Sequence, residues 1–205
     1  MILAALALSV LPCAALAGSA EDFLNTCSGS SDPVAVTSAL EAQGWLRPSA
    51  LDPDASAILT EALVLQNADQ SFAPETSPAE YTRQGKQLAQ LLQGVTTGIL
   101  PGAALTDEAS VVLVLADPTD NGAVLRCYYA GPADARFSNL VDQMRDYHLL
   151  RDDTRLIQRA PLETTTRTTR VSSVIARFKP EAEALGLGSN AALSIYVLTR
   201  TTQKG

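Results

Sequence analysis

The chain has 205 residues, of which 46% are hydrophobic, and its 15 basic and 22 acidic side chains give a formal charge of −7. This length and apolar content are sufficient for a globular domain with its own core, which excludes disordered and fibrous proteins. Nucleic-acid binders contact phosphates through a clustered excess of Lys and Arg. The negative balance therefore predicts no nucleic-acid partner.

Residues 1–17 have the features of an export signal. The run from Ile2 to Leu11 is apolar, and Ala15-Leu16-Ala17 is a small-x-small cleavage site. We predict a signal peptide over 1–17 and a single mature domain over 18–205, with a buried N-terminal helix as the alternative. Spanning a bilayer takes roughly 20 apolar residues, so we expect no transmembrane anchor after cleavage.

Export changes the interpretation of the three cysteines. Cleavage removes Cys13 and leaves Cys27 and Cys127, an even pair in a compartment that oxidises thiols. We therefore predict a disulfide between them. It would close a loop of about 100 residues and contribute up to about 4–5 kcal/mol of stability. Two unrelated buried thiols are the alternative.

The N-terminal half is predicted to be helical. Asp32-Pro33 supplies an N-cap and a proline at the first helical position, and Asp52-Pro53 repeats the pattern. Ser77-Pro78-Ala79-Glu80 is a capping box that opens a third helix, after a loop expected from Asn67 to Thr76. Gly85 lies on the apolar stripe of that helix, where its missing side chain would admit a close neighbour.

The C-terminal half is predicted to be a sheet with one helix. Val111 to Leu115 is an apolar run of strand length, and turn residues from Asp117 to Gly122 lead into a return strand. A helix starting near Pro132 follows. Three more strands are expected over 150–160, 163–178 and 191–201, with Pro161 separating the first two and the Thr/Arg-rich segment 164–170 at an edge or on an exposed face.

These elements predict an α+β fold. N-terminal helices would pack against a mainly antiparallel sheet, with one further helix inserted between strands. The predicted Cys27–Cys127 disulfide would join the helical half to the second strand, which favours a single domain.

The sequence contains little machinery for catalysis or metal binding. His148 is the only histidine, so a catalytic triad would depend on it and a multi-histidine zinc site is excluded; a packing role is expected. The loop from Asp117 to Gly122 resembles the start of a calcium-binding loop, but Tyr128 occupies the position of the bidentate glutamate, which favours a plain hairpin. We predict no catalytic residue, no metal and no cofactor.

Neighbouring acids leave one enzymatic alternative open. A glycosidase needs two carboxyl groups a few ångströms apart. Neighbouring acids occur at Asp52/Asp54, Asp107/Glu108, Asp117/Asp120 and Asp152/Asp153. Proximity in sequence does not place two acids across a cleft.

Charge is divided unevenly along the chain. Residues up to Leu125 carry 3 basic and 14 acidic side chains, whereas those from Arg126 onward carry 12 and 8. This division predicts either two halves that attract each other or a basic surface for an anionic partner.

The basic half contains a possible row of arginines. Arg151, Arg155 and Arg159 recur every four residues, which places them on one face of a strand, and Arg167 and Arg170 follow on the next. Guanidinium groups bind carboxylates and phosphates through paired hydrogen bonds. These five arginines are therefore candidate ligand-binding residues, and pairing with the protein's own acids is the competing explanation.

We predict an exported, disulfide-containing binding or accessory protein of the periplasm or extracellular space, which binds a protein or anionic ligand of the cell envelope through this arginine-bearing face or a groove beside it. Two alternatives remain open. One is a carboxylate-dependent hydrolase acting on an envelope glycan, and the other is a structural domain that acts by oligomerisation.

Overall fold

The computed structural model describes residues 19–71, 77–96, 98, 101–107, 109–119, 122–145, 156–166 and 168–201. The predicted signal peptide lies outside these residues, as do His148, Arg151, Arg155 and Arg167.

The described residues form six helices and six strands. The helices are α1 (Ala20–Gly29), α2 (Pro33–Ala42), α3 (Pro53–Ser71), α4 (Pro78–Leu92), α5 (Ala135–Arg145) and α6 (Pro180–Glu183), and a 3-10 turn covers Gln93–Val95. The strands are β1 (Gly102–Thr106), β2 (Val111–Thr119), β3 (Gly122–Gly131), β4 (Ile157–Thr165), β5 (Thr169–Phe178) and β6 (Leu193–Thr201).

All six strands belong to one antiparallel sheet with the order β1-β2-β3-β6-β5-β4. The last strand in sequence, β6, therefore lies between β3 and β5. It joins the β1–β2–β3 meander to the β4–β5 hairpin. The N-terminal helices and the helix between β3 and β4 confirm the predicted α+β class.

Helices cover both faces of the sheet. On one face, Phe23 and Cys27 of α1 pack with Cys127 of β3 and Val197 of β6. We call this face the disulfide face. Helices α2 and α5 lie on it as well. On the opposite face, which we call the α3 face, Leu59 and other residues of α3 and α4 pack against β1, β2 and β3. The burial of both faces explains the continuous apolar run at the start of β2.

The helices in the N-terminal half begin where their capping residues predict. The Asp32 side chain accepts a hydrogen bond from the backbone N of Val34 at 2.9 Å, and the Asp52 side chain accepts one from Ala55 N at 2.7 Å. The Ser77 hydroxyl accepts one from the backbone N of Glu80 at 3.3 Å. Each bond satisfies an amide that has no partner within its helix.

Gly85 confirms the predicted close approach of a neighbouring element. A Cβ at this position would lie 2.6 Å from Val64 Cγ2 and 2.7 Å from the backbone oxygen of Thr60, both on α3. Glycine therefore allows α3 and α4 to pack closely along the α3 face.

Other predicted boundaries were wrong in the helical half. The loop expected from Asn67 does not begin there, because α3 continues to Ser71 and residues 67–71 include no glycine or proline to end it. Helix α1 and strand β1 were not predicted. A capping box between Ser19 and Asp22 begins α1, with the shorter Asp in place of the usual Glu or Gln.

The predicted strand break at Pro161 was also wrong. β4 runs through Pro161, which pairs with Val174, and continues to Thr165, and Thr166 N donates a hydrogen bond of 2.8 Å to the backbone oxygen of Thr169. Because β4 is an edge strand with one neighbour, a residue without an N–H group is tolerated there.

β2 likewise extends through Pro118 to Thr119, which pairs with Gly122 of β3, so the β2–β3 connection is shorter than the predicted turn from Asp117 to Gly122. Pro118 lies beyond Leu115, the last residue of β2 that pairs with β1.

Candidate functional site

The predicted disulfide is confirmed and fixes α1 to the sheet. Cys27 of α1 is bonded to Cys127 of β3 with a Cα separation of 6.3 Å, and both cysteines are fully buried. The Thr199 hydroxyl of β6 donates a hydrogen bond of 2.8 Å to the backbone oxygen of Cys27. A buried disulfide of this kind is compatible with an exported protein.

Arg159 lies in the interior, between β4 and α3. Only 2% of its surface is exposed, and its Nε and Nη2 both donate to the backbone oxygen of Leu65, with Nε at 3.0 Å. Burial raises the pKa of Tyr81, and the positive charge of Arg159 opposes that increase. Arg159 therefore stabilises the contact between the sheet and the α3–α4 pair.

Arg170 occupies the same face as Arg159 at the other end of the hairpin. Arg159 pairs with Ala176, whereas Arg170 pairs with Thr165, which puts the two arginines about 20 Å apart along the strands. Arg170 is exposed, and its Nη2 lies 3.0 Å from Glu163 Oε1. That hydrogen bond, together with the positive charge, lowers the pKa of Glu163.

Two arginines that were not predicted lie beside Arg170. Arg200 of β6 is directly opposite Arg170 of β5. On its other side, Arg200 pairs with Val124 of β3. Arg126 lies two residues further along β3 and is therefore diagonal to Arg200. Direct neighbours on a sheet have Cβ atoms about 4.5–5.5 Å apart, and diagonal neighbours about 7–8 Å. All three side chains are exposed on the α3 face. We call Arg126, Arg170 and Arg200 the arginine row.

The arginine row places like charges together. Opposed like charges on a sheet are destabilising. Glu163 partly balances Arg170, and Arg126 has a further interaction within the protein. For Arg200, the described part of the chain supplies neither a hydrogen bond nor an ion pair. The row therefore retains an exposed positive charge that the described acids do not neutralise.

The most buried carboxylate among the described residues has a structural role. Glu61 of α3 is 7% exposed; its Oε2 accepts from the backbone N atoms of Asn190 at 2.8 Å and Ala191 at 2.6 Å. Its Oε1 accepts from Gly188 N and Asn190 Nδ2, each at 3.2 Å. Both oxygens are occupied, so Glu61 anchors the α6–β6 loop to α3.

A cleft of about 400 Å³ opens beside this loop, and Asp54 is the acid that lines it. Nearby acids cap local turns: Asp52 binds an amide of α3, and Asp107 binds the amides of Ala109 and Ser110.

A glycosidase acid would require a raised pKa. The pKa values of Glu80 and Glu163 are instead lowered, because Arg83 and Arg170 donate hydrogen bonds to these carboxylates. Described contacts therefore provide no support for the hydrolase alternative.

Among the residues that the structure describes, no three or more His, Cys, Asp or Glu side chains form a cluster able to hold a metal ion, and no helix has the length and apolarity of a membrane span. Comparisons with protein-family models, curated proteins and solved structures found no match to this chain.

Proposed function

We propose that this protein is an exported binding or accessory protein of the periplasm or extracellular space and that it recognises an anionic partner of the cell envelope through the arginine row. The observation that carries this proposal is the direct opposition of Arg170 and Arg200 on adjacent strands. Arg167 falls between β4 and β5 in sequence, and we propose that it contributes, together with Arg151 and Arg155. Arg159, by contrast, is committed to the interior.

The chemistry of the row favours a carboxylate or phosphate group. A guanidinium presents planar pairs of N–H donors that match the two oxygens of such groups. An anion between Arg170 and Arg200 would replace a repulsive contact with two attractive ones. The Arg170–Glu163 ion pair does not block access, because both side chains are more than half exposed and such pairs contribute about 0–1 kcal/mol.

Two independent features support the exported location. Residues 1–17 combine an apolar run with a cleavage site, and the Cys27–Cys127 disulfide would not persist in a reducing cytosol. The disulfide also joins α1 to β3, one of the strands that carry the arginine row.

Affinity capture from the native envelope fraction tests the proposal. The mature oxidised protein serves as bait, beside a variant with Arg170→Gln and Arg200→Gln and a matched control with Arg47→Gln. Arg47 is 55% exposed and pairs with Glu41 on α2, away from the row. We expect a partner that is released by salt, retained by the control and lost at least tenfold from the double variant. Equal retention by the folded double variant would refute the proposal.

A further inference from the structure

The end of the β4–β5 hairpin where Thr165 pairs with Arg170 has a groove on its disulfide face. One wall is a stripe of α1, and the floor consists of residues that alternate along β4 and β5. Helix α5 lies over the opposite end of the hairpin, where Arg177 donates to the backbone oxygen of Ser138. The groove has a volume of about 430 Å³, within the range typical of ligand sites.

Among the residues that the structure describes, the side chains that line the groove are uncharged and none is aromatic. Hydroxyl groups and one amide alternate with aliphatic groups. The lining residues are Leu24, Asn25, Ser28, Gly29, Leu162, Thr164, Thr166, Thr169, Val171 and Ser173. A charged ligand would lose hydration against this described lining without meeting an opposite charge from it, so the lining favours a neutral ligand. Without an aromatic side chain, the lining also offers no stacking platform for a planar ring.

Ser173 lies in the floor of the groove with an unused hydroxyl. The residue is 4% exposed and its neighbours across the sheet are Leu162 and Val197. Within the part of the chain that the structure describes, its side chain has no hydrogen-bond partner. Two other buried hydroxyls of the same sheet are satisfied, since Ser194 contacts Gln66 Nε2 at 3.1 Å and Thr199 donates to Cys27.

Although Ser173 as a residue is buried, its hydroxyl lines the groove and is accessible to water, so a ligand group that pairs with it replaces a hydrogen bond to water. The wall opposite the floor is rigid, because the disulfide and the Thr199 hydrogen bond hold α1 in place. A site that is already formed loses little conformational entropy when it binds a ligand. Ser173 is therefore both accessible to a hydrogen-bonding ligand and held at a constant distance from α1.

We propose that this groove is a second binding site, on the opposite face from the arginine row, and that it takes an uncharged peptide segment in an extended conformation. The floor runs from Leu162 of β4 to Thr166, the residue after the strand, over about 13 Å, which is the length of about four extended residues. An internal peptide group is neutral and offers both a donor and an acceptor to Ser173. Small apolar side chains of the segment would pack against Leu24 and Val171.

The test uses the mature oxidised protein and amide chemical shifts in solution. The probe is an equimolar mixture of N-acetylated, C-amidated tetrapeptides composed of Ala, Val, Ser and Thr; a second mixture has Glu at one position, and chitotriose is a neutral non-peptide probe. We expect the uncharged peptides alone to shift groove amides. Ser173→Ala should weaken binding by roughly tenfold. Ser28→Trp, which fills the groove from α1, should abolish it.

Ser172→Ala is the matched control, because Ser172 precedes Ser173 on the same strand and its hydroxyl donates to Glu163 on the other face. It should bind the peptides as the unmodified protein does, as should the Arg170→Gln/Arg200→Gln variant. Absence of groove shifts with uncharged peptides at millimolar concentration would overturn the proposal. The proposal would also be overturned if Ser173→Ala and Ser28→Trp bound the uncharged peptides as tightly as the unmodified protein does. Groove shifts with chitotriose and not with the peptides would overturn it as well. None of these outcomes affects the arginine-row proposal.

Discussion

Glu61 provides a quantitative test of how α3 is joined to the loop before β6. The substitution Glu61→Gln keeps the shape of the side chain but replaces one carboxylate oxygen with an NH₂ group. Each oxygen of Glu61 accepts two hydrogen bonds, and all the donors are N–H groups of Gly188, Asn190 and Ala191. The amide NH₂ would therefore face two donors in either orientation.

The free-energy cost follows from which bonds survive. The favoured orientation keeps the oxygen at the shorter bonds, to the backbone N of Asn190 and Ala191, and places NH₂ beside Gly188 N and Asn190 Nδ2. The Asn190 side chain can turn to water, but Gly188 N is left without an acceptor, at about 1–3 kcal/mol. The two surviving bonds also weaken, because a neutral acceptor forms roughly half as strong a bond as a charged one. We expect a total loss of about 2–4 kcal/mol.

Urea unfolding of the oxidised protein at pH 7 measures this loss. Glu41→Gln is the matched control, since Glu41 is exposed and pairs with Arg47 at the surface, and its unfolding free energy should change by less than about 1 kcal/mol. Amide exchange should accelerate at Gly188 and Ala191 in Glu61→Gln alone. A loss below about 1 kcal/mol in Glu61→Gln would show that the carboxylate does not hold the loop.

Two more predictions concern the disulfide and the α3–α4 contact. Replacing Cys27 and Cys127 with Ala should lower the unfolding free energy by up to about 4–5 kcal/mol, because the bridge spans a sequence separation of 100; unfolding with and without reductant checks this, and equal stabilities would contradict it. Gly85→Ala should destabilise by about 1–3 kcal/mol despite alanine's better helix propensity, because its Cβ would overlap Val64. Gly29→Ala is the control, with nothing within 4 Å of the added Cβ, and a stabilised Gly85→Ala variant would refute the argument.

Features that depend on neighbouring residues in the sequence could be predicted. The starts of α2, α3 and α4 follow from Asp32, Asp52 and Ser77, because each cap acts within three residues of its own position. The disulfide followed from counting the cysteines that the predicted signal cleavage would leave. These inferences need no knowledge of which elements become neighbours.

Features that depend on tertiary pairing could not be predicted. β1 consists of Gly102-Ala103-Ala104-Leu105-Thr106, which has weak strand propensity and forms by pairing with β2. The arginine row was missed for a related reason. Arg126 and Arg200 each follow a buried residue in an alternating strand, but only the order β3-β6-β5 brings them to Arg170.

The position of β6 has a consequence for how the chain folds. The meander and the β4–β5 hairpin can each pair locally, but the sheet stays in two parts until β6 enters between them. Contacts between the first helix and the last strand, such as Thr199 with Cys27, span 172 residues, and such non-local contacts slow folding. A nascent chain that still lacks β6 therefore cannot complete the sheet, and α1 completes its contacts with β3 and β6 only as a late step.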